Sequence, residues 1–227
     1  MHKKINDKDL RIIFQGPICF ENKSILEYDK RIIISTIDDY SEKEKNIPNK
    51  IVRGKRPSFP GHKNINYQVA STLAGLKYEP DYKFVIKIRS DIYIKDKEEF
   101  INSFEFNEKT INSVYWHNYI NINDYENGYA FDYIFGGTKE NIVSIFLHLS
   151  KNADLYTDPF PEKHILESIK KEENITVINN ISKNLKEDSL FWIKMDKFIV
   201  EYCNKYPEYK KEKLLINTDR KIVPQII

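Results

Sequence analysis

Short, β-branched apolar runs that each end in a polar turn, separated by amphipathic stretches, limit this chain more than any other feature. Leu10-Arg11-Ile12-Ile13-Phe14 stops at Gln15-Gly16-Pro17, and Ile32-Ile33-Ile34-Ser35-Thr36 stops at the acidic Asp38-Asp39. Lys83 to Arg89 is a third such run, opening into Ser90-Asp91-Ile92-Tyr93. Runs of this kind read as buried strands entering loops. Between the first two, Ser24 to Tyr28 leaves room for a short helix or turn, and Ile51-Val52 reads as a further short strand after the polar stretch Ser41 to Lys50. The segment 53–64 carries two prolines, two glycines and four basic side chains, which marks it as a loop. Val69, Leu73 and Leu76 then recur at helical spacing, with Asn64 or Asn66 as the cap, until Tyr78-Glu79-Pro80-Asp81 ends the helix. Strands alternating with helices over the first ninety residues predict the α/β class, with a doubly wound parallel or mixed sheet. Ligands of such sheets bind at loops beyond the carboxyl ends of the strands.

The remaining chain predicts a strand at Val114-Tyr115-Trp116 and an aromatic stretch from Tyr129 to Phe135 that runs into a Gly136-Gly137 loop. It then predicts helices over Lys139–Leu149 and Glu162–Lys171, a strand over Ile175–Ile178, and a final amphipathic helix marked by Phe191, Met195, Phe198 and Tyr202. Its 227 residues suit one sizeable domain. With 36 Lys+Arg against 34 Asp+Glu, the chain lacks the cationic excess of a nucleic-acid binder, so no nucleic-acid partner is expected. A hydrophobic content of 41%, with 15 Tyr and 13 Phe, supplies a packed core and argues against disorder. Apolar runs fall far short of the roughly 20 residues that span a bilayer, and no export leader opens the sequence, so a soluble cytoplasmic chain is expected. Cys19 and Cys203 sit at opposite ends in no metal or redox spacing, which fits a reducing compartment while leaving a single bridge open.

Four loops carry the candidate chemistry: Gln15 to Ile18, Ser35 to Asp38, Arg89 to Asp91, and Asp132 to Gly137. Gln15 is both donor and acceptor, and Gly16 permits close approach of a planar or phosphorylated ligand; an ordinary tight turn is the competing reading. In Lys87-Ile88-Arg89-Ser90-Asp91, alternation puts Lys87 and Arg89 on one face and Phe84, Ile86 and Ile88 on the other. A carboxylate at Asp91 can hold a hard divalent cation that bridges two phosphates. Arg89 could grip a phosphate bidentately, or pair with Asp91 as a structural ion pair. The chain has no phosphate-cradling Gly-x-x-x-x-Gly-Lys-Ser/Thr loop, no Gly-x-Gly-x-x-Gly, no His-Glu-x-x-His, no Gly-x-Ser-x-Gly and no cysteine cluster. His2, His62, His117, His148 and His164 are scattered; His148 reads as structural, and His62 is a weak candidate for phosphate contact.

Taken in order, Phe14-Gln15-Gly16-Pro17-Ile18, Ile33-Ile34-Ser35-Thr36, the block Asn64 to Leu76, Val85 to Asp91, Asp132 to Gly136 and Glu162 resemble the WavE family of lipopolysaccharide-synthesis proteins, glycosyltransferases of bacterial surface polysaccharides. The matching motifs span roughly residues 10 to 165, and the specific one is Asn66-x-Gln68-x-x-Ser71-Thr72-x-x-Gly75-Leu76. Tyr67 stands where the family often has Arg, and Ile37 where Trp commonly follows Ser-Thr; both departures bear on the donor sugar.

The resemblance implies a single GT-A-like (Rossmann-like) domain, with a mixed, mainly parallel central sheet flanked by helices. Residues 1–100 would form the nucleotide-binding half, 101–185 the acceptor half and 186–227 a C-terminal helical segment. Gln15, Gly16 and Pro17 would lie against the nucleotide, with Ser35, Thr36, Asn66 and Gln68 also on the donor side. Asp91 would be the metal-binding acid for Mg²⁺ or Mn²⁺, although Arg-Ser-Asp replaces a full Asp-x-Asp, so Arg89 would share the neutralisation of phosphate. Asp132, beside aromatic residues on which a sugar can stack, is the first candidate for general base and Glu162 the second; a plain surface role competes for each.

The implied reaction moves a sugar from a nucleotide-sugar donor to a glycan or lipid-linked acceptor of lipopolysaccharide or capsule. Such acceptors imply peripheral contact with the inner membrane, and Phe191 to Lys213 is apolar and basic enough for an interfacial helix or, more commonly, a core or dimer helix. Two rivals stand beside this reading. One is a non-catalytic GT-A-like nucleotide- or glycan-binding module. The other is a sugar nucleotidyltransferase, whose Gly-rich basic loop after the first strand is not matched by Gln15-Gly16-Pro17.

Overall fold

The computed structural model describes residues 5–61, 64–113, 133–152, 164–165 and 168, together with the backbone of 176–178 and 190–192. Along the chain run β1 (Leu10–Gln15), α1 (Lys23–Leu26), β2 (Ile32–Thr36), a 3₁₀ turn (Glu42–Asn46), β3 (Lys50–Arg53), α2 (Ile65–Tyr78), β4 (Phe84–Arg89) and β5 (Ile92–Ile94). They are followed by α3 (Lys97–Asn102), β6 (Thr110–Ser113), β7 (Ile134–Thr138), α4 (Lys139–Asn152), β8 (Thr176–Ile178) and β9 (Leu190–Trp192).

Seven strands form one sheet in the order β3-β2-β1-β4-β7-β6-β8. β1 is parallel to β2 and β4, β2 to β3, and β6 to β8, while β7 runs antiparallel to both β4 and β6. The fold is therefore α/β with a mixed, mostly parallel sheet, as the strand-helix alternation predicted. β5 and β9 pair separately as an antiparallel ribbon.

Period-two alternation divides the core. Leu10, Ile12, Phe14, Ile32, Ile34, Ile86, Ile88 and Ile134 pack on one face with Ile25 of α1, Ile92 and Ile94 of β5, and Phe100 and Ile101 of α3. Ile13, Ile33, Val85, Ile111 and Phe135 pack on the other face against Val69, Leu73 and Leu76 of α2 and Ile142, Ile145, Phe146 and Leu149 of α4. Helix α2 lies so close to the sheet that a Cβ on Gly75 would come within 2.8 Å of Ile13 and 2.9 Å of Ser35.

Several expectations are corrected. Gly136 and Gly137 are not a loop but the middle of β7, paired with Ile86 and Val85. Glycine suits Gly136 because a Cβ there would stand 2.3 Å from the Phe104 ring, while a Cβ on Gly137 would press on Ile111 at 3.0 Å. A strand was expected over Val114–Trp116; β6 lies earlier, at Thr110–Ser113, and 114–116 are outside the described residues. β6 is polar in sequence because Asn112 is satisfied tertiarily, its Nδ2 donating to the carbonyls of Glu105 (2.7 Å) and Gly136 (3.2 Å). Phe191 belongs to β9 rather than to a helix; the rest of the expected C-terminal helical segment lies outside the described residues. At the start of α2, Asn64 takes a left-handed conformation (φ 65°) and makes no side-chain capping bond. The entry is held by Asn66 instead, whose backbone N–H donates to Pro60 O and whose Nδ2 donates to Phe59 O.

Cys19 is buried and unbridged, and burial is the main cause that pushes its thiol up to about 12; Cys203 lies outside the described residues. Among the described residues, no helix is long and apolar enough to cross a membrane.

Candidate functional site

The chain winds from β1 outward through β2 to β3, then crosses back to place β4 on the other side of β1. The connections leave β1 and β4 in opposite directions, so their carboxyl ends lie side by side at the topological switch point, the place where ligands of such sheets bind. The residues at those ends are Gln15-Gly16-Pro17 and Arg89-Ser90-Asp91, two of the four loops singled out from the sequence.

These two loops are tied together. The N–H of Ser90 donates to Gln15 O at 2.9 Å, the N–H of Gly16 donates to Ser35 O at 3.1 Å, and the Ser90 hydroxyl donates to Pro17 O. Gly16 has φ +124°, a conformation side-chain-bearing residues avoid, and it lets the chain turn over Ser90. Asn22, fully buried, completes the tie: its Nδ2 donates to the carbonyls of Ser90 and Ile92, both at 2.8 Å, while its Oδ1 accepts from Ser24 N–H and caps α1. The sequence carried one sign of this, an Asn immediately before Lys-Ser-Ile-Leu, but nothing to connect it with Ser90. Asn22→Ala would strand two buried carbonyls at roughly 1–3 kcal/mol each. We expect its unfolding midpoint to drop by about 4–24 °C at roughly 2–4 °C per kcal/mol for a chain of this size. A midpoint within 1 °C of wild type in a fluorimetric melt would refute the tie.

At the carboxyl end of β1, Gln15 is 5% exposed and donates from Nε2 to Ser71 Oγ at 2.9 Å. Ser35 and Thr36 are fully buried; the Ser35 hydroxyl donates to Ser71 O, and Thr36 Oγ1 accepts from Asp38 N–H. The structure thus brings Gln15, Ser35 and α2 together, while Thr36 is occupied in its own turn. The Asn66 side chain bridges to the 53–61 loop through Phe59 O, and Gln68 is half-buried on α2.

Arg89 and Asp91 form a bidentate pair, Nε to Oδ1 at 3.0 Å and Nη2 to Oδ2 at 2.6 Å. The guanidinium also lies 5.1 Å from the centroid of the Tyr133 ring. The Arg89 side chain stays 35% exposed and that of Asp91 18%. Both oxygens of Asp91 are therefore held by a cation already, and among the described residues no group of three or more His, Cys, Asp or Glu could hold a metal ion. As described, these residues do not by themselves make up a cation site. Lys87, one pair of positions deeper in β4, is fully buried between Ile13 and Phe135. Asp132, Glu162 and His62 lie outside the described residues.

No family model and no curated protein matches the chain. Among solved structures, a 4-diphosphocytidyl-2C-methyl-D-erythritol synthase from Anaerococcus prevotii matches at 14% identity, with a TM-score of 0.44 over 89% of this chain and 100% of that one.

Proposed function

We propose that this chain is an enzyme that handles a nucleotide-sugar, and within that class a glycosyltransferase that builds a bacterial surface glycan. The observation that carries this is the pair of loops at the switch point, tied to each other beyond the ends of β1 and β4, one of which presents the partly exposed guanidinium of Arg89. A switch point of this kind suits a nucleoside diphosphate, with the nucleotide against Gln15-Gly16-Pro17 and the phosphates toward Arg89. In the proposed step, the oxygen of an acceptor hydroxyl bonds to the anomeric carbon as the bond from that carbon to the diphosphate oxygen breaks. The hydroxyl proton passes to a carboxylate, Asp132 first and Glu162 second, and the nucleoside diphosphate leaves. A glycan or lipid-linked acceptor, cytoplasmic location and peripheral contact with the inner membrane belong to the same reading.

The closed Arg89–Asp91 pair favours a second reading, a nucleotide-binding module without turnover. A sugar nucleotidyltransferase would use the same switch point on a nucleoside triphosphate and release pyrophosphate, but residues 15–20 include no cationic side chain to meet a triphosphate.

Thermal-shift screening against UDP-, GDP-, CMP- and ADP-sugars, with and without Mn²⁺ or Mg²⁺, should give a stabilising shift with one nucleotide class, followed by release of the free nucleotide when acceptor is added. Pyrophosphate release from triphosphate and sugar phosphate would transfer the assignment to the nucleotidyltransferase. Binding with no turnover would favour the module, and no shift with any class would end the proposal.

A further inference from the structure

At the carboxyl end of β1, the hydroxyl of Ser71 holds one end of the Gln15 amide and thereby orients the other. Ser71 sits on α2, buried at 1% exposure, with its Oγ 2.7 Å from Tyr67 O and 3.1 Å from Gln68 O. Both neighbours are carbonyls that only accept, so the single hydroxyl proton is committed to them. With that proton on one of the two carbonyls, Ser71 Oγ accepts from Gln15 Nε2 at 2.9 Å, and the NH₂ end of the amide is turned toward α2. Helix α2 is itself held at this point by the Ser35 hydroxyl, which donates to Ser71 O, and by the close approach of Gly75 to the sheet.

The consequence falls on the other amide atom. Gln15 Oε1 is buried and has no hydrogen-bond partner among the described residues, although Gln15 is 95% buried and is the last residue of β1 at the switch point. An unmet carbonyl oxygen in such a place is unfavourable until a donor reaches it. A phosphate oxygen cannot serve, since it too only accepts; an N–H or O–H can. On these grounds we infer that Ser71 is a positioning residue, fixing Gln15 as a hydrogen-bond acceptor for an N–H or hydroxyl donor at the nucleoside end of the ligand. This inference rests on the proposed nucleotide-sugar site and on the ligand direction proposed there, nucleoside toward β1 and phosphates toward β4.

The test measures affinities of UDP, GDP, CDP and ADP by calorimetry for the wild type and for Ser71→Ala, Ser71→Thr and Gln15→Met, with a melting curve for each variant. Ser71→Ala frees the amide to rotate and should weaken the nucleotide that binds wild type by about tenfold. Ser71→Thr keeps the hydroxyl and should recover wild-type affinity to within about threefold. Gln15→Met should match Ser71→Ala, and in turnover assays each loss should fall on KM rather than kcat. Wild-type affinity in a folded Ser71→Ala, or equal losses in the Ala and Thr variants at equal melting points, would overturn the positioning role while leaving the nucleotide site standing. Binding by wild type that Gln15→Met does not alter would overturn the acceptor as well. If no nucleotide binds the wild type, the proposed function fails first and the inference with it.

Discussion

Gly136→Ala is expected to lower the unfolding midpoint by about 6–12 °C. The added Cβ would stand 2.3 Å from two ring atoms of Phe104, far inside van der Waals contact. Relief is hard to find. Phe104 is 3% exposed, edge-on to Phe100 at 5.1 Å between centroids and stacked on Phe106 at 5.5 Å. β7 cannot move away either, since it is hydrogen-bonded to β4 on one side and β6 on the other. Overpacking a rigid core usually costs 1–3 kcal/mol, and the upper end, about 3 kcal/mol, is expected where the obstacle is an aromatic ring. At roughly 2–4 °C per kcal/mol for a chain of this size, that gives the stated drop. Pairing it with Phe104→Leu should recover part of the loss, because the two sites share one space and their effects cannot add. A single variant that melts within 2 °C of wild type would mean that Phe104 does not fill the place of a side chain on β7.

The second large effect concerns Asp91 and follows from the proposed function. Asp91→Asn should cut glycosyl transfer by about 100-fold or more while moving the melting point by less than about 3 °C. A carboxylate offers two acceptors to the Arg89 fork; an asparagine offers one, and turns an NH₂ group against the remaining guanidinium N–H. The guanidinium would swing from its place opposite Tyr133, and displacements of about 1 Å in such groups can cost 100-fold in rate. Stability should change little, because a partly exposed ion pair contributes at most about 1 kcal/mol. Full activity in this variant would remove Asp91 from the reaction and leave the pair a structural one. A collapse in melting temperature with loss of activity would point to the same conclusion.

What the sequence disclosed follows a physical rule. β1, β2, β4, α2 and α4 were readable because each buries an unbroken or regularly spaced apolar set, so local pattern and final environment agree. The ends of β1 and β4 were readable for the same reason, since each apolar run stops where its strand does. Gly136-Gly137 misled because glycine signals a turn unless one knows that Phe104, thirty-odd residues earlier, fills the vacant side-chain space. β6 was displaced because Thr110, Asn112 and Ser113 are polar, and only tertiary partners make Asn112 suitable for burial. β5 and β9 are three residues each, too short to show a period. Ser71 stood within the block that carried the family resemblance, yet its role depends on Gln15, 56 residues away in sequence. Asn22 was hidden likewise, since its main partners are carbonyls 68 and 70 residues further on.

The ribbon beside Asp91 bears on the timing of synthesis. Ile92 pairs with Trp192, about a hundred residues later. At roughly 5–20 residues per second, the ribosome takes on the order of 5–20 s to supply that partner after Ile92 has been made. Through that interval the parallel half of the sheet can assemble, with β1 and β4 already adjacent, while the strand leading out of Asp91 has an open edge. An open edge is a place where chaperones or other chains can attach. The ribbon next to Asp91 is thus finished late, and a nascent chain that already contains every residue from Gln15 to Asp91 still lacks the strand that pairs with β5.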